Sequence, residues 1–125
     1  MSVVYSATGT INTSDRWEKT DIQTSDKGLA FIKALHPVKY KWKNSGNLDS
    51  NGNQIPGTRY HYGLIAQEVS EVIGDGANFA GWVKTNPASS TSLEGLRYDQ
   101  FIAPLIKAVQ ELSAEVEALK AQLNK

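Results

Sequence analysis

Ile102-Ala103-Pro104-Leu105-Ile106-Lys107-Ala108-Val109-Gln110-Glu111-Leu112-Ser113-Ala114-Glu115-Val116-Glu117-Ala118-Leu119-Lys120-Ala121-Gln122-Leu123 carries the most regular pattern in the chain. Its apolar residues Ile102, Leu105, Val109, Leu112, Val116, Leu119 and Leu123 are spaced by alternating threes and fours. That is an a/d seam with a period of about 3.5, which predicts an amphipathic helix of the coiled-coil kind. Asp99 is the expected N-cap. Pro104 falls early and should confine or kink the first turns. From Asp99 onward the helix would run about 39 Å at ~1.5 Å per residue. A narrow apolar stripe on so long a helix must be buried against something, and a small body cannot cover all of it. Self-association through a coiled coil follows. Val at a with Leu at d leans towards two strands.

The rest of the chain is thin in apolar residues. Of 125 residues, 40% are hydrophobic, and the mean hydropathy is −0.38. One domain, or one small domain with an appendage, suits this length. Either the core is small and aromatic, or apolar surface is shared with other chains. Thirteen Lys plus Arg balance thirteen Asp plus Glu. A zero net charge argues against bulk electrostatic binding to nucleic acid or an anionic membrane. The chain has no Cys, which removes disulfides, thiolate zinc sites and a Cys nucleophile. No apolar run reaches the ~18 residues of a membrane span, and no signal-peptide pattern opens the chain. A soluble domain folded in a reducing compartment is expected.

Moving N-terminal, residues 1–13 are uncharged and rich in β-branched side chains, so an extended piece is expected there. Charge density rises at Ser14. A helix capped by Thr24 or Ser25 is expected to bury Leu29, Ile32 and Leu35 on one face, and Pro37 stops it. Residues 38–43 alternate with period two and predict a strand. Residues 44–58 are crowded with Asn, Gly, Asp, Ser and Pro, the composition of a hairpin loop, and residues 59–65 read as the return strand. Residues 66–73 suit a two-turn helix ended by Gly74. A short strand over 79–84 and a loop at 86–92 complete the body. The fold class is α+β: a small mixed body with a β-hairpin, plus a long C-terminal helix forming a coiled coil. The expected divisions are 1–13, 14–98 and 99–125.

Few constellations point to chemistry. Asp49-Ser50-Asn51-Gly52-Asn53 fails the calcium-loop pattern, which needs Gly sixth and Glu twelfth; Gly52 is fourth and Tyr60 twelfth. His36 and His61 have no companion at metal-ligand spacing, so a structural role or plain exposure is expected. Trp17, Tyr40, Trp42, Tyr60, Tyr62, Phe79 and Trp82 could stack on bases or sugars, but core packing is the expectation. Ser14 and Lys19 could form a nucleophile and its base if burial lowers the lysine's pKa. Their spacing alone says almost nothing.

Ser14-Asp15-Arg16-x-x-Lys19, Ile22, Leu35-x-Pro37-Val38-x-Tyr40-x-Trp42, Gly63-Leu64-Ile65-Ala66-Gln67-Glu68-Val69, Tyr98 and Leu105-Ile106-Lys107-Ala108-Val109-Gln110-Glu111-Leu112 occur in that order. Over about residues 14–123 this resembles the intramolecular chaperone domain of endosialidases, the autocleaving C-terminal domain of bacteriophage tail spikes, tail fibres and neck appendages. The resemblance implies a homotrimer that guides an upstream β-structured fibre of the same polypeptide into register. It implies that the domain then hydrolyses the Thr13–Ser14 bond, with Ser14 as nucleophile, Lys19 as base, and Asp15 and Arg16 orienting the site. Residues 1–13 would be the end of the fibre. Over the dimeric lean of the seam, the trimer of the family is the expectation.

The resemblance also implies no metal and no cofactor, assembly in the host bacterial cytoplasm, and release of the domain from the mature tail fibre. A non-enzymatic trimerisation or adhesion module, with Ser14-Asp15 as a simple turn, is the alternative. A serine hydrolase acting in trans ranks third, because no substrate cleft or oxyanion motif is legible.

Overall fold

A computed structural model describes residues 3–6, 9–74, 78–86 and 92–124, with only the backbone for 3–6 and 9–10. Three antiparallel strand pairs and three helices alternate along it. Strands β1 (Val3–Ser6) and β2 (Gly9–Asn12) pair with each other, Val3 opposite Asn12 and Ser6 opposite Gly9. Within the extended piece expected over 1–13, the described residues thus form an antiparallel strand pair. A 3-10 turn, Arg16–Glu18, leads towards helix α1 (Leu29–Ala34). Strands β3 (Val38–Tyr40) and β4 (His61–Gly63) form the second pair. Helix α2 (Ala66–Ile73) follows, then the pair β5 (Trp82–Lys84) and β6 (Glu94–Leu96). A 3-10 turn, Tyr98–Phe101, opens the 22-residue helix α3 (Ile102–Leu123).

Helix α1 is shorter than its apolar spacing suggested, and neither Thr24 nor Ser25 caps it. Ser25 is spent on a local turn, its hydroxyl accepting from the Lys27 amide at 3.1 Å and donating to the Lys27 carbonyl at 2.8 Å. Gly28 holds the cap position instead. The orphan Leu29 amide is satisfied by the Glu111 carboxylate on α3, at 3.1 Å. First-turn amides of a helix need such a partner. This approach is possible only because Gly28 lacks a side chain: a Cβ there would overlap the Glu111 carboxylate and lie 3.1 Å from the Lys107 Cγ.

The remaining boundaries shift for equally local reasons. The strand expected over 38–43 stops at Tyr40, yet the hairpin continues loosely. Gly57 donates to the Trp42 carbonyl at 2.8 Å, Ser45 to Ile55 at 2.8 Å, and Leu48 bridges Gln54. Asp49 closes the tip, its Oδ1 accepting from the amides of Asn51 and Asn53, both at 2.9 Å. Those donors, Asn53 first, hold its carboxyl below the usual aspartate range although it is fully exposed. Helix α2 ends at Gly74, as read from the sequence, in a left-handed conformation with φ 72°. The expected strand over 79–84 is confined to Trp82–Lys84, and it pairs with β6, a strand with no counterpart among the expected elements. The loop expected at 86–92 lies mostly outside the described residues. Asp99 does not cap α3; it lies within the 3-10 turn, and Phe101 takes the cap position. Pro104 lies in the first turn of α3, where its missing N–H has no intrahelical acceptor in any case.

The core is small and aromatic. Val69 of α2, only 2% exposed, meets Phe79 and Phe101 there. Phe31 joins them, its ring stacked on Phe101 at 6.0 Å and set edge-on to Phe79 at 5.9 Å. Phe79 and Phe101 meet edge-on at 5.4 Å. Such offset and edge geometries suit the ring quadrupoles. Leu35, Leu64, Ile73, Trp82 and Leu96 pack around this cluster. The Lys27 ammonium covers it, 5.7 Å from the Phe31 ring and 5.3 Å from that of Phe79. Core packing thus holds for Phe79 and in part for Trp82, whereas the half-buried Tyr40 packs on Trp42 and His61, away from the core cluster. It fails for Trp17, Trp42, Tyr60 and Tyr62, which are exposed. Residue type alone does not say which face a side chain takes, and three phenylalanines suffice to fill so small a centre.

Helix α3 is anchored at one end. Pro104 and Ala108 are buried, and its first turns pack against α1. The seven seam residues Ile102, Leu105, Val109, Leu112, Val116, Leu119 and Leu123 are 42–84% exposed. Ile106 is exposed as well, so the apolar stripe is wider near its start than the a/d pattern indicates.

Candidate functional site

The segment after β2 is where chemistry-bearing groups meet. Thr13 and Ser14 leave the strand in irregular backbone, with Thr13 half-buried and Ser14 exposed. Asp15 has extended backbone, φ −72° and ψ 134°, and its Oδ1 accepts from the Trp17 amide at 2.9 Å. That is side-chain capping of a turn. The Glu18 amide then donates to the Asp15 carbonyl and the Lys19 amide to the Arg16 carbonyl, each at 3.1 Å. This single 3-10 turn folds the chain back on itself. The Lys19 Nζ donates to the Ser14 Oγ at 2.6 Å. Residues five apart, with no meaning in spacing alone, are therefore in direct contact.

That contact is the geometry a serine nucleophile and a lysine base require, since the base must reach the proton it takes. Desolvation of the lysine, the other requirement, is not supplied by the single chain, because Lys19 and Ser14 are both exposed. The Arg16 side chain is exposed, and no hydrogen bond or ion pair engages it among the described residues. Trp17, in the middle of the turn, is 88% exposed. Asp21, just beyond Lys19, has φ 52°, a left-handed conformation that Asp tolerates better than most residues. Its Oδ1 accepts from Gln23 Nε2 at 2.7 Å.

Other candidates separate from this site. His36 Nδ1 lies 2.9 Å from Glu68 Oε1, tying the end of α1 to α2. His61 stacks on Tyr40 at 5.8 Å. A groove of about 500 Å³ beside His36 is lined by Leu35, Leu64, Glu68 and Val72. A second, of about 550 Å³, lies between Pro37, Val38, Tyr62 and Tyr98. Neither is lined by Ser14 or Lys19.

Two supporting residues carried no sequence signal of their role. Tyr98 clamps the exit of β4, its hydroxyl accepting from the Leu64 amide at 3.1 Å and facing the Leu64 carbonyl at 3.3 Å. Gly63 makes room for it, since a Cβ there would sit 2.5 Å from the Tyr98 Oη. Glu111 caps α1 from 82 residues away. Ile106 could have been found, because it flanks the seam and is apolar.

A family model described as chaperone of endosialidase, and named as a peptidase of type S74, matches residues 14–78. Its first matched residue is Ser14, and the match runs through the Ser14–Lys19 contact, α1, the β3–β4 hairpin and α2. No curated protein matches the chain. The ordered motifs, the Ser14–Lys19 contact and a match over half the chain lead to one assignment: the chain belongs to the chaperone of endosialidase family.

Proposed function

We propose that the chain is a C-terminal intramolecular chaperone that trimerises a phage tail spike or tail fibre, assists its folding, and releases itself by cutting the Thr13–Ser14 bond. The observation that carries this reading is the 2.6 Å contact between Ser14 Oγ and Lys19 Nζ. It occurs at the first residue of the family match.

The chemistry follows from the chain's own groups. With Lys19 in its neutral form, Nζ takes the Ser14 hydroxyl proton as Oγ attacks the Thr13 carbonyl carbon. The Thr13–Ser14 C–N bond breaks, and the Ser14 nitrogen leaves as an amine that receives the proton from Lys19. The product is an ester between the Thr13 carbonyl and Ser14 Oγ. Water hydrolyses it, giving a Thr13 carboxylate and a Ser14 hydroxyl with a free amino terminus. Both strands of the reaction lie in one polypeptide, so no substrate cleft is needed, in keeping with grooves that avoid the dyad. Covering Lys19 in the assembled fibre would remove it from water and favour the neutral form.

The chaperone action has its own physical basis. β-structured trimeric fibres need non-local pairing between chains, which is entropically slow. Joining three chains at one end raises the effective concentration of the segments just upstream. The exposed seam of α3 supports this part, since an apolar stripe of that regularity needs partners. Cleavage then removes the template and makes the assembly kinetically hard to reverse. The site of action is the host bacterial cytoplasm during virion assembly. The test is the intact mass of the chain joined to its upstream fibre, with Ser14→Ala as control. Loss of everything before Ser14 in the wild type alone supports the proposal. A permanent trimer that never shortens supports the non-enzymatic module instead.

A further inference from the structure

We infer that Asp15 is a positioning residue of the self-cleaving site, acting through backbone geometry and not through its charge. The inference rests on the cleavage reading above and adds the device that brings its two groups together. Three observations carry it. The Asp15 Oδ1 is engaged by the Trp17 amide at 2.9 Å, inside the turn. The Asp15 carbonyl accepts from the Glu18 amide at 3.1 Å, so one residue accepts from two amides of the turn. No ion pair joins Asp15 to Lys19 or Arg16 among the described residues, so its carboxylate is not the counter-ion of the base.

The turn is exposed and contributes no buried residue, so nothing in the core holds its shape. A three-residue 3-10 turn is intrinsically marginal. Its persistence depends on its caps, and Asp15 supplies the one at its start. When the turn opens, the Lys19 side chain loses its fixed approach to Ser14, because the Lys19 amide is held by the same turn. The cap therefore acts on the fraction of chains whose dyad is assembled. Asn and Ser cap about as well as Asp, whereas Ala does not.

Four substitutions separate geometry from charge. Asp15→Asn and Asp15→Ser keep the cap and remove the charge. Asp15→Glu keeps the charge but is not a preferred capping residue. Asp15→Ala removes both. The single-turnover rate of cleavage at Thr13–Ser14 should fall roughly two- to thirty-fold for Ala and Glu, the range set by loss of an N-cap, and stay near wild type for Asn and Ser. Amide hydrogen exchange at Trp17, Glu18 and Lys19, read in the uncleavable Ser14→Ala background, should accelerate for Ala and Glu but not for Asn or Ser. The core amides around Val69 and Phe101 should be unaffected. A wild type that does not cleave would refute the functional reading while leaving the exchange result to judge the cap. Slow cleavage by Asp15→Asn with intact turn protection would overturn the inference in favour of a charge role. Unchanged exchange in Asp15→Ala would overturn it outright.

Discussion

Truncation of Leu112 to Ala is the sharpest test of what α3 is for. Leu112 sits near the middle of the seam and is 49% exposed in the single chain. Full burial of a leucine side chain contributes about 1.5–3 kcal/mol, so completing the burial of this one contributes about 1 kcal/mol per chain. Three chains meeting at one layer lose about 3 kcal/mol per trimer, and a residual cavity raises this towards ~6 kcal/mol. At about 1.4 kcal/mol per factor of ten, the trimer association constant falls roughly 10²- to 10⁴-fold. Trimer formation depends on the square of that change in concentration, so the midpoint rises about 10- to 100-fold. Sedimentation velocity over a concentration series reads this directly. Ala114→Glu, on the exposed face away from the seam, should leave the midpoint in place. An unchanged midpoint for Leu112→Ala, or a wild type that stays monomeric at high concentration, would refute the reasoning from the exposed stripe.

Three further outcomes test the fold around the site. Gly28→Ala should destabilise the body by about 0.5–1.5 kcal/mol, since the new methyl forces the Glu111 carboxylate away from the Leu29 amide and leaves that donor to water; denaturant melts check it, and Glu111→Ala should couple with it non-additively. Tyr98→Phe removes the hydroxyl that meets both polar groups of Leu64 and, at so exposed a position, should cost about 0.5–1.5 kcal/mol in the same assay. Asp49 has its folded pKa held down by the Asn53 and Asn51 amides, so its ordering of the hairpin tip is complete above the usual aspartate value of about 3.9 and is lost as the pH falls through the lower folded value. The Asn51 and Asn53 amide resonances should report the release in an acid titration, and Asp49→Asn should remove most of the pH dependence.

The sequence patterns that survived are those with long or chemically specific signals. The a/d run of α3 fixed a helix over several turns. The Gly74 stop fixed the end of α2, and the Asn/Gly-rich run at 44–58 fixed a hairpin. What the sequence did not show depends on contacts between distant residues. Helix α1 looked capped by Thr24 or Ser25 because capping preferences are local, whereas its amide is met by Glu111 from the far end of the chain. Strand β6, Glu94–Leu96, contains Gly95 and has no alternation to reveal it, so only its pairing with β5 defines it. The aromatic residues gave the composition of a core but not its membership. Phe31 and Phe101 were inside, and Trp17 and Tyr62 were outside.

The candidate site was legible in an uneven way. Ser14 and Lys19 stood out only as parts of a family motif, because five residues of spacing are compatible with almost any geometry. The 3-10 turn that joins them is too short to leave a periodic signature, and the resemblance implies that Asp15 orients the site without revealing that it does so as a cap. Lys19 is exposed in the single chain, so the proposed cleavage requires that assembly cover it.

Intact mass spectrometry of the chain joined to its upstream fibre tests the central claim most directly. The account predicts that the wild type loses everything before Ser14 and gains a free Ser14 amino terminus, while Ser14→Ala and Lys19→Ala remain full length. A wild type that folds with its fibre and keeps the Thr13–Ser14 bond, or a Ser14→Ala variant that is cut there all the same, would contradict it.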